Sequence, residues 1–255
     1  GETMNPDYVI NRTSAFTLGL IKNCKNIHKI CSTEDNLQYE FFLEDDFSIC
    51  KNLPRLYYGT FNEKIVGFLS VFVIDDSHCE ICMFVMPKYR GGHLGRNLFM
   101  EFQEDYINFY VETSIHPNNI FGKNYINTLD FQYNNSNVLM ELDLEDFVNH
   151  NTIENIDYEY EDGYFYLYND NIPIGSCLVT SILPDCACIS EVAIDDNFQN
   201  KGYGYKFLAF VFRKISKDYH FVVLHVEKGN IPAYRLYTKM GFVEKETSVT
   251  YSKSL

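Results

Sequence analysis

The chain has 255 residues, room for one or two domains, with ordinary hydrophobic content and no enrichment in Pro or Gly. Its 35 acidic and 21 basic residues leave a formal charge of −14, which argues against a nucleic-acid partner and makes an amine-bearing substrate electrostatically reasonable. No apolar run approaches the ~20 residues of a membrane span and no charged-then-apolar leader is visible, so a soluble, cytoplasmic chain without a membrane partner is expected.

Gly1–Thr3 ahead of Met4 read as a remnant. Leu20, Cys24, Ile27 and Cys31 then repeat at helical spacing, and a less regular helical segment is expected around Leu37–Phe47. Arg55–Ile74 reads as a hairpin turning at Asn62-Glu63-Lys64. A strand-like run, Cys79–Met86, leads to YRGGHLGRNL and a helix whose Leu94, Leu98, Phe102 and Tyr106 share a face. Eight cysteines show no disulfide framework, and the Cys79/Cys82 pair lies inside a strand-like run with no second pair, so reduced thiols and no metal are expected.

The same order recurs about 110 residues later. The hairpin Gly163–Ile182 parallels the first, with Ile174-Gly175 matching Val66-Gly67. Gln199 and Gly204 correspond to Arg90 and Gly95, Asn230 to Asn119, and Met240-Gly241-Phe242 to Leu129-Asp130-Phe131. Each half ends in a strand-like run, Val138–Leu144 and Ser248–Tyr251. A repeat this long means two copies of one domain, divided at the acidic link near Glu145–Glu161 into residues 1–145 and 146–255. The second copy has little room before its hairpin and is expected to lack the opening helices.

The densest chemistry lies in ISEVAIDDNFQNKGYGYKFLAFVF, from Ile189 to Phe212. A buried strand end (Val192, Ala193, Ile194) is followed by a polar turn, and Gln199-Asn200-Lys201-Gly202-Tyr203-Gly204 opens an amphipathic helix. Glycines at a strand-to-helix junction let backbone approach a ligand, and the free amides of the first turn point at an anion such as a pyrophosphate. This stretch resembles the acyl-CoA loop of the GNAT superfamily of N-acetyltransferases, with Gln199, Gly202 and Gly204 in the pattern positions. LHVEKGNIPAYRLYTKMGF, Leu224–Phe242, is similar to the family's second motif through Asn230, Ala233, Leu236, Tyr237, Gly241 and Phe242.

The resemblance implies an α/β (α+β) chain of two tandem GNAT domains, each a mixed, mostly antiparallel central sheet flanked by helices. It also implies direct transfer of an acetyl group from acetyl-CoA to an amine, on a small molecule or a peptide N-terminus. Backbone of Val192, Ala193 and Ile194 would pair the pantetheine arm, and Gln199, Asn200, Lys201, Gly202, Tyr203, Gly204 and Tyr205 would hold the pyrophosphate. Asn230 would cap the second helix and touch the cofactor arm. Tyr237 would give the leaving sulfur its proton, although it equally fits an apolar core stripe. The base is left open between Glu191, His225 and a water chain. In the first copy His93, Ile126 and Asp130 replace Gly202, Tyr237 and Gly241, so that copy reads as degenerate. A non-catalytic acyl-CoA-binding or sensing protein is the alternative, and the chain is expected to be a monomer or homodimer.

Overall fold

Two largely apolar runs on either side of Asn62-Glu63 become a hairpin, because both turn residues adopt left-handed backbone (φ 48° and 63°) that matches strand twist. The computed structural model describes residues 7–39, 41–43 and 52–255, so Gly1–Thr3 and part of Leu37–Phe47 lie outside the described residues. What is described of the latter, residues 37–39 and 41–43, is not helical.

The first compact unit comprises Gly1–Asn134 together with Ser248–Leu255. Its elements are β1 (Val9–Thr13), α1 (Leu18–Asp35), β2 (Leu56–Phe61), β3 (Lys64–Asp75), β4 (His78–Val85), α2 (Leu94–Asp105), β5 (Tyr110–Ile115) and α3 (Ile120–Thr128). β1 to β4 pair antiparallel in chain order, and β4 pairs parallel with β5. The sheet is covered on both faces. Cys24, Ile27 and Cys31 of α1 pack with Leu56, Phe68 and Phe84 on one side. Leu94, Leu98 and Phe102 of α2 pack with Tyr57, Leu69 and Ile81 on the other. Each such side chain removed from water contributes about 1.5–3 kcal/mol, which makes this packing the main cohesive force. Cys79 and Cys82 fall into opposite cores and face opposite sides of β4.

The second unit comprises Asn135–Thr247. Within it lie most of β6 (Gln132–Asp143), then α4 (Leu144–His150), β7 (Asp157–Glu161), β8 (Tyr164–Asn169), β9 (Ile172–Leu183), β10 (Cys186–Ile194), α5 (Tyr203–Ile215), β11 (Phe221–Glu227), α6 (Ile231–Met240) and the start of β12 (Val243–Ser254). The strand order is β6-β11-β10-β9-β8-β7, with the β10–β11 pair parallel. One core serves this unit. Leu144 and Phe147 of α4, Phe207, Leu208 and Phe212 of α5, and Tyr237 of α6 all belong to it. Among the described residues, no helix of this unit covers the other face of the sheet.

Three features depart from the sequence reading. The acidic link is structured: Asp143 caps α4 by accepting from the Asp146 amide at 2.9 Å, and Asp157–Glu161 forms an exposed strand. The unit lacks a long opening helix, but α4 and β7 stand in that space. The closing strands are also exchanged. Val249–Ser254 of β12 pair with Ile115–Tyr110 of β5, whereas Asn137–Asp143 of β6 pair with β11. The division thus falls at Asn134/Asn135, with Ser248–Leu255 returned to the first unit, rather than at 145/146. Two strands with equivalent alternation can trade places at little cost in side-chain facing, so period alone does not assign them.

Candidate active site

The second unit's site starts where β10 leaves its neighbours. Parallel pairing with β11 covers only Cys186–Cys188 against Phe221–Val223, after which the edge of β10 facing β11 carries no ladder bonds. On its other side β10 pairs with β9, but the register shifts between Ser190 and Ala193. Ser190 opposes Leu178 and Ala193 opposes Ser176, so Glu191 and Val192 together face Cys177 alone. This is a β-bulge, and Glu191 sits in it at φ 51°. A non-glycine residue there stores about 1 kcal/mol or more of backbone strain. The bulge keeps Ile189, Val192 and Ile194 on the core side despite the step of three between the first two.

The turn after β10 is built by short polar bonds. Asp195 accepts from the Asn197 amide at 2.9 Å and opens a 3-10 turn, Asp196–Phe198. Gln199 Nε2 donates to the Ile194 carbonyl and to Asp196 Oδ1, both at 2.9 Å, and so ties loop to strand end. Lys201 Nζ donates to the Asn197 carbonyl at 2.7 Å. Asn200 and Gly202 take left-handed backbone (φ 57° and 85°). A Cβ on Gly202 would meet nothing within 4 Å, so the glycine answers to backbone angle and not to space. At Gly204 the reason is proximity, since a Cβ would lie 3.3 Å from Leu236.

α5 begins at Tyr203 with no side-chain cap and no acidic residue in its first turn. The amides of Tyr203, Gly204 and Tyr205 therefore face outward beside the positive end of the helix dipole. By contrast Thr17, Asn119, Asp143 and Asn230 each cap their helices with a side-chain oxygen. Asn230 accepts from the Ala233 amide at 3.3 Å. Gly241 (φ 99°) ends α6, and the Phe242 amide donates back to the Tyr237 carbonyl.

Tyr237 is 7% exposed, its ring edge-on to Phe242 at 5.7 Å. Burial, with Cys177 nearby as a lesser cause, pushes its phenol up to about 12. Glu191 is exposed, and its Oε2 accepts from the Tyr164 hydroxyl at 2.7 Å. His225 is exposed on β11, opposite Leu139 of β6. The buried neighbours of Glu191 and His225 point to the core, so both lie on the helix-free face, and Tyr237 lies on the helix side. The separation of β10 from β11 runs between the two groups. Tyr164 escaped the sequence reading; the step of three in Ile189–Val192 was a visible sign of the bulge.

The first unit keeps the backbone of this site with other side chains. β4 pairs parallel to β5 only over His78–Glu80, but its register with β3 is regular from Gly67/Val85 to Val73/Cys79, with no bulge in that span. Gly91 and His93 take the two left-handed positions (φ 79° and 62°), α2 likewise starts without a side-chain cap, and Asp130 (φ 61°) does what Gly241 does. Arg90 Nε donates to the Val85 carbonyl at 3.1 Å as Gln199 does to Ile194. Its other nitrogens grip Asp35 at 2.7 Å each, which holds that carboxyl below its usual range. Ile126 is buried where Tyr237 stands in the second unit, and the Tyr125 hydroxyl is buried without a partner against Gly95.

A family model described as acetyltransferase (GNAT) matches residues 21–120 and again 136–242. Among solved structures, a GCN5-related N-acetyltransferase from Sphaerobacter thermophilus is 12% identical, with 98% of this chain and 96% of that one covered at a TM-score of 0.69. A tandem GNAT protein from the clavulanic acid biosynthesis pathway is 10% identical, with 97% and 98% covered at 0.68. A GNAT-family acetyltransferase from Colwellia psychrerythraea is 11% identical, with 97% and 100% covered at 0.58. These likenesses speak to fold. No curated protein matches the chain.

Proposed function

The chain belongs to the acetyltransferase (GNAT) family, and from that premise we propose that its second unit moves an acetyl group from acetyl-CoA to a primary amine by direct transfer. The observation that carries this is the conjunction, in one unit, of a bulged, half-unpaired strand with an uncapped helix start. An uncapped first turn with no acidic residue suits a diphosphate, so Asn200 to Tyr205 are its holders. The open edge at Val192, Ala193 and Ile194 offers backbone groups to an amide-bearing arm and a donor to the thioester carbonyl. The residues present fit the co-substrate.

The reaction removes one proton from the attacking amine and gives one to the departing sulfur. Glu191 and His225 lie on one face of the sheet and Tyr237 on the other, which suits removal on one side and delivery on the other. The bond from Tyr164 orients the Glu191 carboxylate. A phenol pushed up to about 12 stays protonated at neutral pH, so the donor is loaded there. The second reading, a non-catalytic acyl-CoA-binding or sensing protein, is favoured by one observation: the Tyr237 ring is packed within the core.

The test is release of CoA thiol by the full chain with an amine panel, wild type beside Tyr237→Phe. Turnover that falls in the variant while acetyl-CoA binding persists supports transfer. Bound acetyl-CoA with no turnover in wild type leaves the sensor.

A further inference from the structure

The helix-free face of the second unit's sheet has its own chemistry. Tyr158 of β7 stacks on Phe165, and tilted ring contacts join Tyr160 to Phe165 and Tyr158 to Phe210, so both tyrosines point to the core side. Alternation then turns Asp157, Glu159 and Glu161 to the other face. Phe165 and Leu167 of β8 are core residues, which turns Tyr164, Tyr166 and Tyr168 the same way as those acids. The register sets each acid beside a tyrosine: Asp157 with Tyr168, Glu159 with Tyr166, Glu161 with Tyr164. Tyr168 donates to Glu159 and Tyr164 to Glu191, both at 2.7 Å, and the Tyr164 and Tyr166 rings stack at 6.0 Å. The strip therefore runs from the edge strand to the bulge without a break. The four strands β7 to β10 contain no Lys, Arg or His.

We infer that this face is the acceptor groove and that the acceptor is a linear amine with two or more cationic nitrogens, a di- or polyamine. The inference rests on the acyl-transfer reading of the same site. Charge complementarity selects the occupant, because a patch with acids and no bases attracts cations and repels carboxylate-bearing amines. Carboxylates two residues apart on a strand are about 6.5 Å apart, roughly the reach of a three- to four-carbon spacer between ammonium groups. Tyrosine rings between them hold cations over their faces, and each hydrogen-bonded carboxylate keeps lone pairs for an N–H donor. Continuity with Glu191 places one end of such a chain at the reacting position while its other nitrogens occupy the strip.

The full chain is assayed for CoA thiol release with 1-aminobutane, with spermidine and with a lysine-rich peptide. Spermidine is expected to show kcat/KM about tenfold or more above 1-aminobutane at low salt, since several exposed ion pairs each add a small factor. That advantage should shrink at about 0.3 M salt. The exposed double variant Glu159→Gln/Glu161→Gln should cut the spermidine advantage severalfold to about tenfold, whereas Glu145→Gln, on α4, should leave the ratio as in wild type. Equal use of the two small amines, an advantage that survives the double variant, or a peptide that outruns spermidine would each overturn the inference. If no amine is turned over, the transfer reading fails on its own account. Calorimetric binding of spermidine then decides: salt-sensitive binding weakened by the double variant upholds the cation groove, and its absence overturns it.

Discussion

Two units of one family sit on one chain, and they differ least where glycine was expected to matter most. His93 adopts the same left-handed start as Gly202, and Asp130 the same left-handed stop as Gly241. Losing a glycine did not lose the turn. What separates the units is the strand before the turn and the helix after it. β10 is bulged at Glu191 where β4 is regular, and α6 carries Tyr237 where α3 carries Ile126. The first unit also covers with α1 the sheet face that the second leaves without a helix of its own. The two units thus differ in strand regularity and helix cover more than in the backbone of the loop.

The sharpest way to break the comparison is Tyr237→Phe. Loss of a positioned proton donor is expected to lower kcat about 10²–10³-fold, with KM for acetyl-CoA little changed, read by CoA thiol release. Ile126→Tyr in the first unit should restore nothing, since no bulged strand faces it. Next is Glu191→Gln, expected to lower kcat about tenfold to a hundredfold. Tyr164→Phe should cost less, since it removes only the bond that orients the Glu191 carboxylate. If Glu191→Gln is silent and a His225 variant is not, the base is His225.

Gly202→Val should raise KM for acetyl-CoA about tenfold by straining the turn, with a loss of roughly 1–2 kcal/mol in stability read by denaturant melts. The reciprocal His93→Gly should be neutral or slightly stabilising, by a few tenths of a kcal/mol up to about 1, because it relieves the same strain.

Alkali gives the smallest effect. Tyr237 has its folded value raised from 10.0 to about 12 by burial. The stabilisation from keeping it neutral is complete below pH 10.0 and is lost as pH rises through about 12. Tyr125 in the first unit is raised likewise to about 12, so both units should loosen in that window. The slope of stability against pH there should be shallower in Tyr237→Phe.

Much of this was legible from residue order. The hairpins, the helices with Leu20-Cys24-Ile27-Cys31 and Leu94-Leu98-Phe102-Tyr106 stripes, and the Asn230 and Gly241 termini all carry local signals. β7 was not legible, because DYEYE is exposed throughout and acidic residues are poor strand formers. β1 was missed for want of a clean alternation. The bulge was half legible: Ile189 and Val192 break the period of two, but Glu191's turn toward Tyr164 depends on β8, remote in sequence. Partner choice for the closing strands is a tertiary matter that no local pattern encodes.

The β5–β12 pairing has a consequence for how such a chain ages. A second copy of a domain is ordinarily free to be trimmed away. Here Val249–Ser254 complete the ladder of the first unit, and that unit supplies β5 as their mate. Removal of either would leave a raw sheet edge, a template for unwanted association. The first unit and the chain's last strand are therefore bound to one another, and synthesis of residues 248–254 must precede closure of the portion translated first.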